Sequence, residues 1–235
     1  RQLEQLGTDY IDYGFIHCID ELSDWRDYQQ HGALSYLMEL KKEGIVRHIG
    51  LSSHTPATIQ RVLDDVPVDM LMFSVNPGYD YHKGDYAKGS VEERAAVYRR
   101  CEAEGIGLSV MKPFSGGQLL DASISPFGEA LTQYQCMQYA LDRPGVLTVL
   151  PGISSVSQVE HLLGFFTASA EERDYSIIGS FSPADAVGKC VYCNHCKPCP
   201  AGLDIGLINK YYDLAKIGDS MAADHYEKLP KHASD

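Results

Sequence analysis

Four cysteines crowd into ten residues near the end of this chain, in the run Gly188-Lys189-Cys190-Val191-Tyr192-Cys193-Asn194-His195-Cys196-Lys197-Pro198-Cys199-Pro200. The spacing is Cys-x2-Cys-x2-Cys-x2-Cys-Pro. Thiolates that close together are ligands for a compact metal centre. An iron–sulfur cube suits a tight loop of three or four thiolates, and a trailing Cys-Pro belongs to the bacterial ferredoxin run. Zinc is the competitor, but zinc ribbons usually separate two Cys-x-x-Cys knuckles by about 15–20 residues, and no such spacer occurs here. The ferredoxin run has three residues before its last Cys, so the spacing leaves the ligation pattern unsettled. We expect a 4Fe–4S cluster on Cys190, Cys193, Cys196 and Cys199. The other three of the seven cysteines, Cys18, Cys101 and Cys136, are dispersed, as reduced cysteines in a cytosolic chain are.

The elements that must carry this chemistry are legible from periodicity. Tyr10–His17 reads as a strand, followed by a helix over about Gly32–Lys42 that Gly44 stops. Ile45–Leu51 is a second strand, and Thr55-Pro56 opens a helix in the favoured cap-then-proline order. Met70–Val75, Ile106–Met111 and Val146–Leu150 are three more strands. Helices are expected near Val91–Glu104, Gly128–Leu141 and Val156–Phe165, whereas Trp25 and the tyrosines Tyr79, Tyr81 and Tyr86 fall in loops. Continuous apolar strands alternating with amphipathic helices imply an α/β fold whose parallel sheet is covered on both faces. No Gly-x-Gly-x-x-Gly follows any strand, which lowers the doubly wound alternative and favours a (β/α)8 barrel.

Five βα units leave three strands of a barrel unaccounted for, and the chain opens inside what reads as a helix end at Leu3, Leu6 and Gly7. The expectation is therefore a fragment lacking about three upstream units. From Ala168 the pattern becomes polar and irregular, and two short helices follow within Leu203–Lys228. This divides the chain into a partial barrel over 1–167 and an iron–sulfur extension over 168–235.

Composition bounds the partners. The chain has 235 residues, 44% hydrophobic and 22% charged, which excludes disorder as its main state. Its 32 acidic against 20 basic residues give a net charge of −12, so nucleic acid is not an expected partner. No apolar run approaches the roughly 18–20 residues that span a bilayer, and the first residues lack a signal-peptide core. A cytoplasmic location and no membrane partner are expected.

With strands and cysteines placed, the chain resembles the aldo-keto reductases, in the branch carrying a ferredoxin-like extension. The resemblance runs through Leu6–Asp12 with Ile16-His17, then Gly44–Ser52, then Met111-Lys112-Pro113-Phe114-Ser115-Gly116-Gly117, and finally Leu150-Pro151-Gly152-Ile153-Ser154-Ser155. These segments look like the ends of barrel strands four, five, seven and eight. The family uses Tyr, Lys, Asp and His with NAD(P)H to deliver a hydride to a carbonyl. Only the His has a counterpart in this chain, His17, which the resemblance makes catalytic. The other three belong to strands before residue 1, so the chain by itself is expected to be inactive as a reductase.

The resemblance also implies a cofactor site for NADP(H) or NAD(H). Ser52, Ser53 and Asn76 would meet the nicotinamide amide, and His54 stands where relatives commonly have Asn. The loop of Met111, Lys112, Pro113, Phe114 and Gly117 would approach the pyrophosphate. Gly152, Ser154, Ser155 and Gln158 would meet the adenosine phosphate, where the amides opening a helix favour an anion. Leu162 replaces an adenine-contacting Asn of relatives, and no Arg follows Gly152 to prefer a 2′-phosphate. The implied partners are a small-molecule carbonyl substrate and a redox partner protein. A second expectation stays beside electron transfer: the extension is a cluster-stapled structural or partner-docking cap.

Overall fold

In a computed structural model the chain is described over residues 1–81, 88–180, 199–216 and 221–232. The element order is α1 (Gln2–Leu6), β1 (Ile11–Ile16), α2 (Leu22–Gln30), α3 (Ala33–Lys42), β2 (Val46–Ser52), α4 (Pro56–Asp65) and β3 (Met70–Ser74). It continues α5 (Pro77–Tyr81), α6 (Val91–Glu104), β4 (Gly107–Met111), α7 (Gln133–Leu141), β5 (Val146–Leu150), α8 (Val156–Leu163), α9 (Ile205–Lys216) and α10 (Ala222–Glu227). No helix among the described residues is long and apolar enough to cross a membrane.

The five strands form one parallel sheet in the order β1-β2-β3-β4-β5. Sequential order without a reversal is the winding of an α/β barrel rather than of a doubly wound sheet. Register then sorts the side chains. Ile16, Ile49, Leu51, Leu71, Phe73, Leu108 and Val110 share the helix-covered face, each 0% exposed. Phe15, Gly50, Met70 and Gly107 share the other face, and a Cβ on Gly50 would strike the Phe15 ring at 2.6 Å. That second face is not covered as expected: Tyr13 stays 38% and Leu150 47% exposed.

Local chemistry explains where elements begin. Ser90 and Glu93 cap α6 reciprocally, Gln135 N–H donating to Thr132 Oγ1 does the same work for α7, and Gly105 ends α6 at φ 71°. Three expectations are corrected here. Residues around Trp25 are helical, because the Glu21 N–H donates to Asp24 Oδ2 and so supports the start of α2. Trp25 itself is buried, its indole N–H donating to Asp65 Oδ2 at 2.7 Å. Helix α7 starts at Gln133 rather than near Gly128, whose φ of 73° is not helical. Tyr79 lies in α5 and is buried, not in a solvated loop; Tyr86 lies outside the described residues.

Behind the end of β3 sits a buried charge. Asp80 accepts from Arg94 Nε at 2.7 Å, Tyr98 OH at 2.8 Å and Tyr139 OH at 2.7 Å. The Arg94 side chain is 1% exposed, donates also to the Ser74 carbonyl and lies over the Phe73 ring. The knot ties α5, α6, α7 and β3 together. Breaking one partner leaves an uncompensated buried charge, so Arg94→Met should cost about 3–5 kcal/mol. Urea denaturation should show that loss, with much of it recovered in Arg94→Met/Asp80→Leu. An unchanged midpoint for the single variant would refute the assignment.

Candidate functional site

Parallel strands in sequential order bring their carboxyl ends to one rim. Among the described residues, the non-glycine positions with positive φ are Cys18 at 55°, Lys112 at 57° and Ser115 at 50°. Cys18 follows β1, and Lys112 and Ser115 follow β4. Left-handed backbone at non-glycine residues costs on the order of 1–3 kcal/mol and is kept where surrounding bonds enforce it.

His17 and Ser52 meet on this rim. Ser52 Oγ accepts from the Cys18 N–H at 2.8 Å and lies 3.1 Å from His17 Nδ1. A hydroxyl both accepts and donates, so this contact holds the imidazole through Nδ1 and leaves Nε2 as the other ring nitrogen of the exposed His17 side chain. Ser53 is buried, accepting from the Thr55 N–H at 3.1 Å and donating to Asp20 Oδ1 at 3.3 Å.

Asp20 had no role in the sequence reading, yet it organises the rim. It accepts from the His54 backbone N–H at 2.6 Å and from His54 Nδ1 at 3.0 Å. On the far side of the ring, Lys112 Nζ donates to His54 Nε2 at 3.2 Å. The only local hint was an acid three residues after His17. Burial opposes the Asp20 charge, but the His54 backbone N–H, its ring and Lys88 outweigh it and hold the carboxyl below its ordinary range. Burial likewise pulls the Lys112 ammonium down, with Asp20 and Cys18 pulling it up. Cys18 Sγ, Asp20 and His54 present donor atoms within 4.8 Å of one another, the outline of a metal group. The two ring nitrogens of His54, however, are engaged by Asp20 and Lys112, so hydrogen bonds account for the arrangement.

The other predicted residues divide by exposure. Asn76 is 0% exposed, its Oδ1 accepting from the Tyr79 N–H and its Nδ2 donating to the Lys112 carbonyl, both at 2.8 Å. Met111 and Lys112 are half-buried. Pro113 and Phe114 are buried. Gly117, at φ 95°, needs glycine for its turn. Gly152, Ser154, Ser155 and Gln158 are exposed at the start of α8. There Ser155 Oγ accepts from the Gln158 N–H at 3.2 Å, while Gln158 Oε1 accepts from the Ser154 N–H at 2.7 Å. Leu162 is buried. A separate cleft of about 490 Å³ between Leu131, Tyr134, His161 and Glu172 holds none of these residues.

Of the predicted metal ligands, Cys190, Cys193 and Cys196 lie outside the described residues. Cys199 is described, and the backbone N–H groups of Leu203, Ala201 and Gly202 face its sulfur and hold the thiol below its ordinary range. Burial pushes Cys101 and Cys136 up to about 12. Among the described cysteines of the metal-free chain, iodoacetamide should therefore modify Cys199 first and leave Cys101 and Cys136 until the fold opens. Peptide mass mapping reads the order, and early labelling of Cys101 would contradict it.

Known proteins share the fold of this chain. The solved aldo-keto reductase of Bacillus halodurans in its holo form superposes with a TM-score of 0.56 at 22% identity, covering 80% of this chain and 64% of that one. A thermostable aldo-keto reductase solved with the inhibitor epalrestat gives 0.53 at 21%, covering 77% and 63%. These likenesses speak to the fold. An uncharacterized oxidoreductase of Schizosaccharomyces pombe is 27% identical over 164 residues, 67% of this chain and 48% of its own length. The chain thus spans about half the length of that curated relative. The family model for the aldo/keto reductase family matches residues 1–132. By that match, over a parallel sheet wound as in its solved neighbours, the chain belongs to the aldo/keto reductase family.

Proposed function

We propose that this chain supplies the later strands of an NAD(P)H-dependent aldo-keto reductase acting on a small-molecule carbonyl/alcohol pair, with a 4Fe–4S extension. In this reading residues 1–167 are barrel strands four to eight and 168–235 the extension. Upstream βα units complete the site, and residues 1–235 alone are inactive. The observation that carries it is the His17–Ser52 pair at the rim.

A nicotinamide held here would supply the hydride, and the chain's own residues placement and polarisation. In this reading Ser52 Oγ donates to His17 Nδ1, and the Nε2–H is then the donor to the carbonyl oxygen. The Gly152–Ser155 turn is exposed with open space around Gly152, and the amides opening α8 behind it are of the kind that favours an anionic group. Lys112 adds a cation on the same rim, its ammonium against His54. Ser52, Ser53 and Asn76 are the nicotinamide end of the site, with Met111 to Phe114 and Gly117 lining its middle and Ser154, Ser155 and Gln158 its adenosine end. Nothing in the 152–158 turn favours NADP over NAD.

Cys190, Cys193, Cys196 and Cys199 would hold the cluster, which supplies single-electron exchange with a redox partner protein. Backbone N–H groups facing the Cys199 sulfur are the donors that cluster thiolates receive. The structural-cap reading has its own support: Ala222 belongs to the same buried core as the strands, Tyr211 packs against it, and Arg99 pairs with Asp224 at 3.5 Å. In the same reading the protein works in the cytoplasm.

The test is anaerobic purification of the full-length protein, iron and acid-labile sulfide analysis, and titration with NADPH. Iron and sulfide near four each per chain with NADPH-dependent carbonyl reduction is expected, and a zinc-only chain that reduces no carbonyl would overturn the reading. His17→Ala should lower kcat/KM by about 10²–10⁴-fold. In a structural role for the cluster, Cys193→Ala unfolds the tail but leaves NADPH affinity unchanged.

A further inference from the structure

Asp20, His54 and Lys112 form one hydrogen-bonded series across the ends of β1, β2 and β4, and the carbonyl chemistry above gives the first two nothing to do. We infer that Asp20 and His54 are positioning residues that hold Lys112 as the cation for the pyrophosphate of a bound dinucleotide. The inference rests on the cofactor reading of this rim and extends it to two residues.

Lys112 is fixed at both ends. Its backbone, at φ 57°, is held by Asn76 Nδ2 donating to its carbonyl at 2.8 Å. Its ammonium donates to His54 Nε2 at 3.2 Å. A lysine on a four-carbon stem otherwise loses rotamer freedom when it meets an anion, and a prepaid geometry removes that cost. His54 in turn is held by Asp20 through Nδ1 and through its backbone N–H. Asp20 is anchored by Ser53 Oγ, and its own carbonyl accepts from Thr58 Oγ1 at 3.0 Å.

The series also sets tautomer and charge. Asp20 accepts the Nδ1 proton, which leaves the Nε2 lone pair for the ammonium. A carboxylate behind the ring favours the charged lysine where burial disfavours it. Asparagine at position 54 reaches Asp20 but ends short of the ammonium, so the series needs a longer side chain.

Placement identifies the anion. Met111 pairs with Leu150 in the parallel register, so the chain leaves β4 at Lys112 beside the point where it leaves β5 toward Gly152. The Lys112 side chain then turns the other way, toward His54 after β2. On a rim ordered β2-β3-β4-β5 the ammonium therefore lies between the Ser52–Ser53 end of the proposed dinucleotide path and its Gly152–Ser155 end, where a pyrophosphate middle would cross. A pyrophosphate carries the paired negative charges that such a position takes.

NADPH and inorganic pyrophosphate are titrated separately into the full-length protein and its His54→Asn, His54→Gln, Asp20→Asn, Lys112→Met and His54→Asn/Lys112→Met variants, each checked by thermal melting. His54→Asn and Asp20→Asn should weaken both ligands about tenfold, the loss of one hydrogen bond to a charged group. His54→Asn should add nothing once Lys112 is Met, because it acts through that lysine. His54→Gln should recover part of the affinity by offering Oε1 to the ammonium. Wild-type affinity in folded His54→Asn, or a loss that multiplies on Lys112→Met, overturns the inference. If pyrophosphate shows the coupled pattern and NADPH does not bind, the cofactor reading fails while the anchor stands. If neither binds the wild-type protein, the inference is overturned.

Discussion

The Asp80 carboxylate lies inside the protein with the Arg94 guanidinium and two tyrosine hydroxyls directed at it. A charge removed from water has to be matched donor for donor, and that demand fixes the segment after β3. The backbone of Asp80 donates to the Asn76 carbonyl at 3.1 Å, and the Asn76 amide reaches the Lys112 carbonyl. From Lys112 the bonds continue to His54 and Asp20. A buried ion pair is weak evidence for stability in itself. Its consequence here is positional: it anchors one end of a continuous series of hydrogen bonds that ends at the rim.

The same logic explains why the rim tolerates awkward backbone. Cys18 and Lys112 adopt left-handed φ, which most side chains avoid. Each is held where it leaves its strand, Cys18 by Ser52 Oγ and Lys112 by Asn76 Nδ2. The hydroxyl that holds Cys18 also orients His17. One serine on β2 therefore holds both the turn after β1 and the neighbouring imidazole ring, which parallel pairing of β1 with β2 makes possible.

How much of this was legible in the chain depended on range. Strands β1 to β4 show as short apolar runs because their helix-facing residues, from Ile16 to Val110, are wholly buried, whereas β5 shows through its composition alone, its residues being half-buried or exposed. Helix α6 spans the expected Val91–Glu104, with Ser90, Glu93 and Gly105 fixing its ends. Helix α2 did not show in the chain, since Leu22, Trp25 and Tyr28 are its only large apolar residues and its opening depends on Asp24. His17, Ser52 and the β5–α8 turn came through family resemblance and reach the same edge of the sheet. The Asp20–His54–Lys112 series was invisible because its partners stand 34 and 58 residues apart. No local pattern records such a contact.

The central claim is that these strand ends form a nicotinamide dinucleotide site, and hydrogen–deuterium exchange of the full-length protein with and without NADPH tests it most directly. Amides lying in solvent-facing turns exchange readily and slow when a ligand covers them. Protection is predicted in three segments, 52–54, 111–117 and 152–158, with the Tyr134–His161 cleft unchanged. Protection centred on that cleft, or none at the three strand ends under saturating NADPH, would contradict the account.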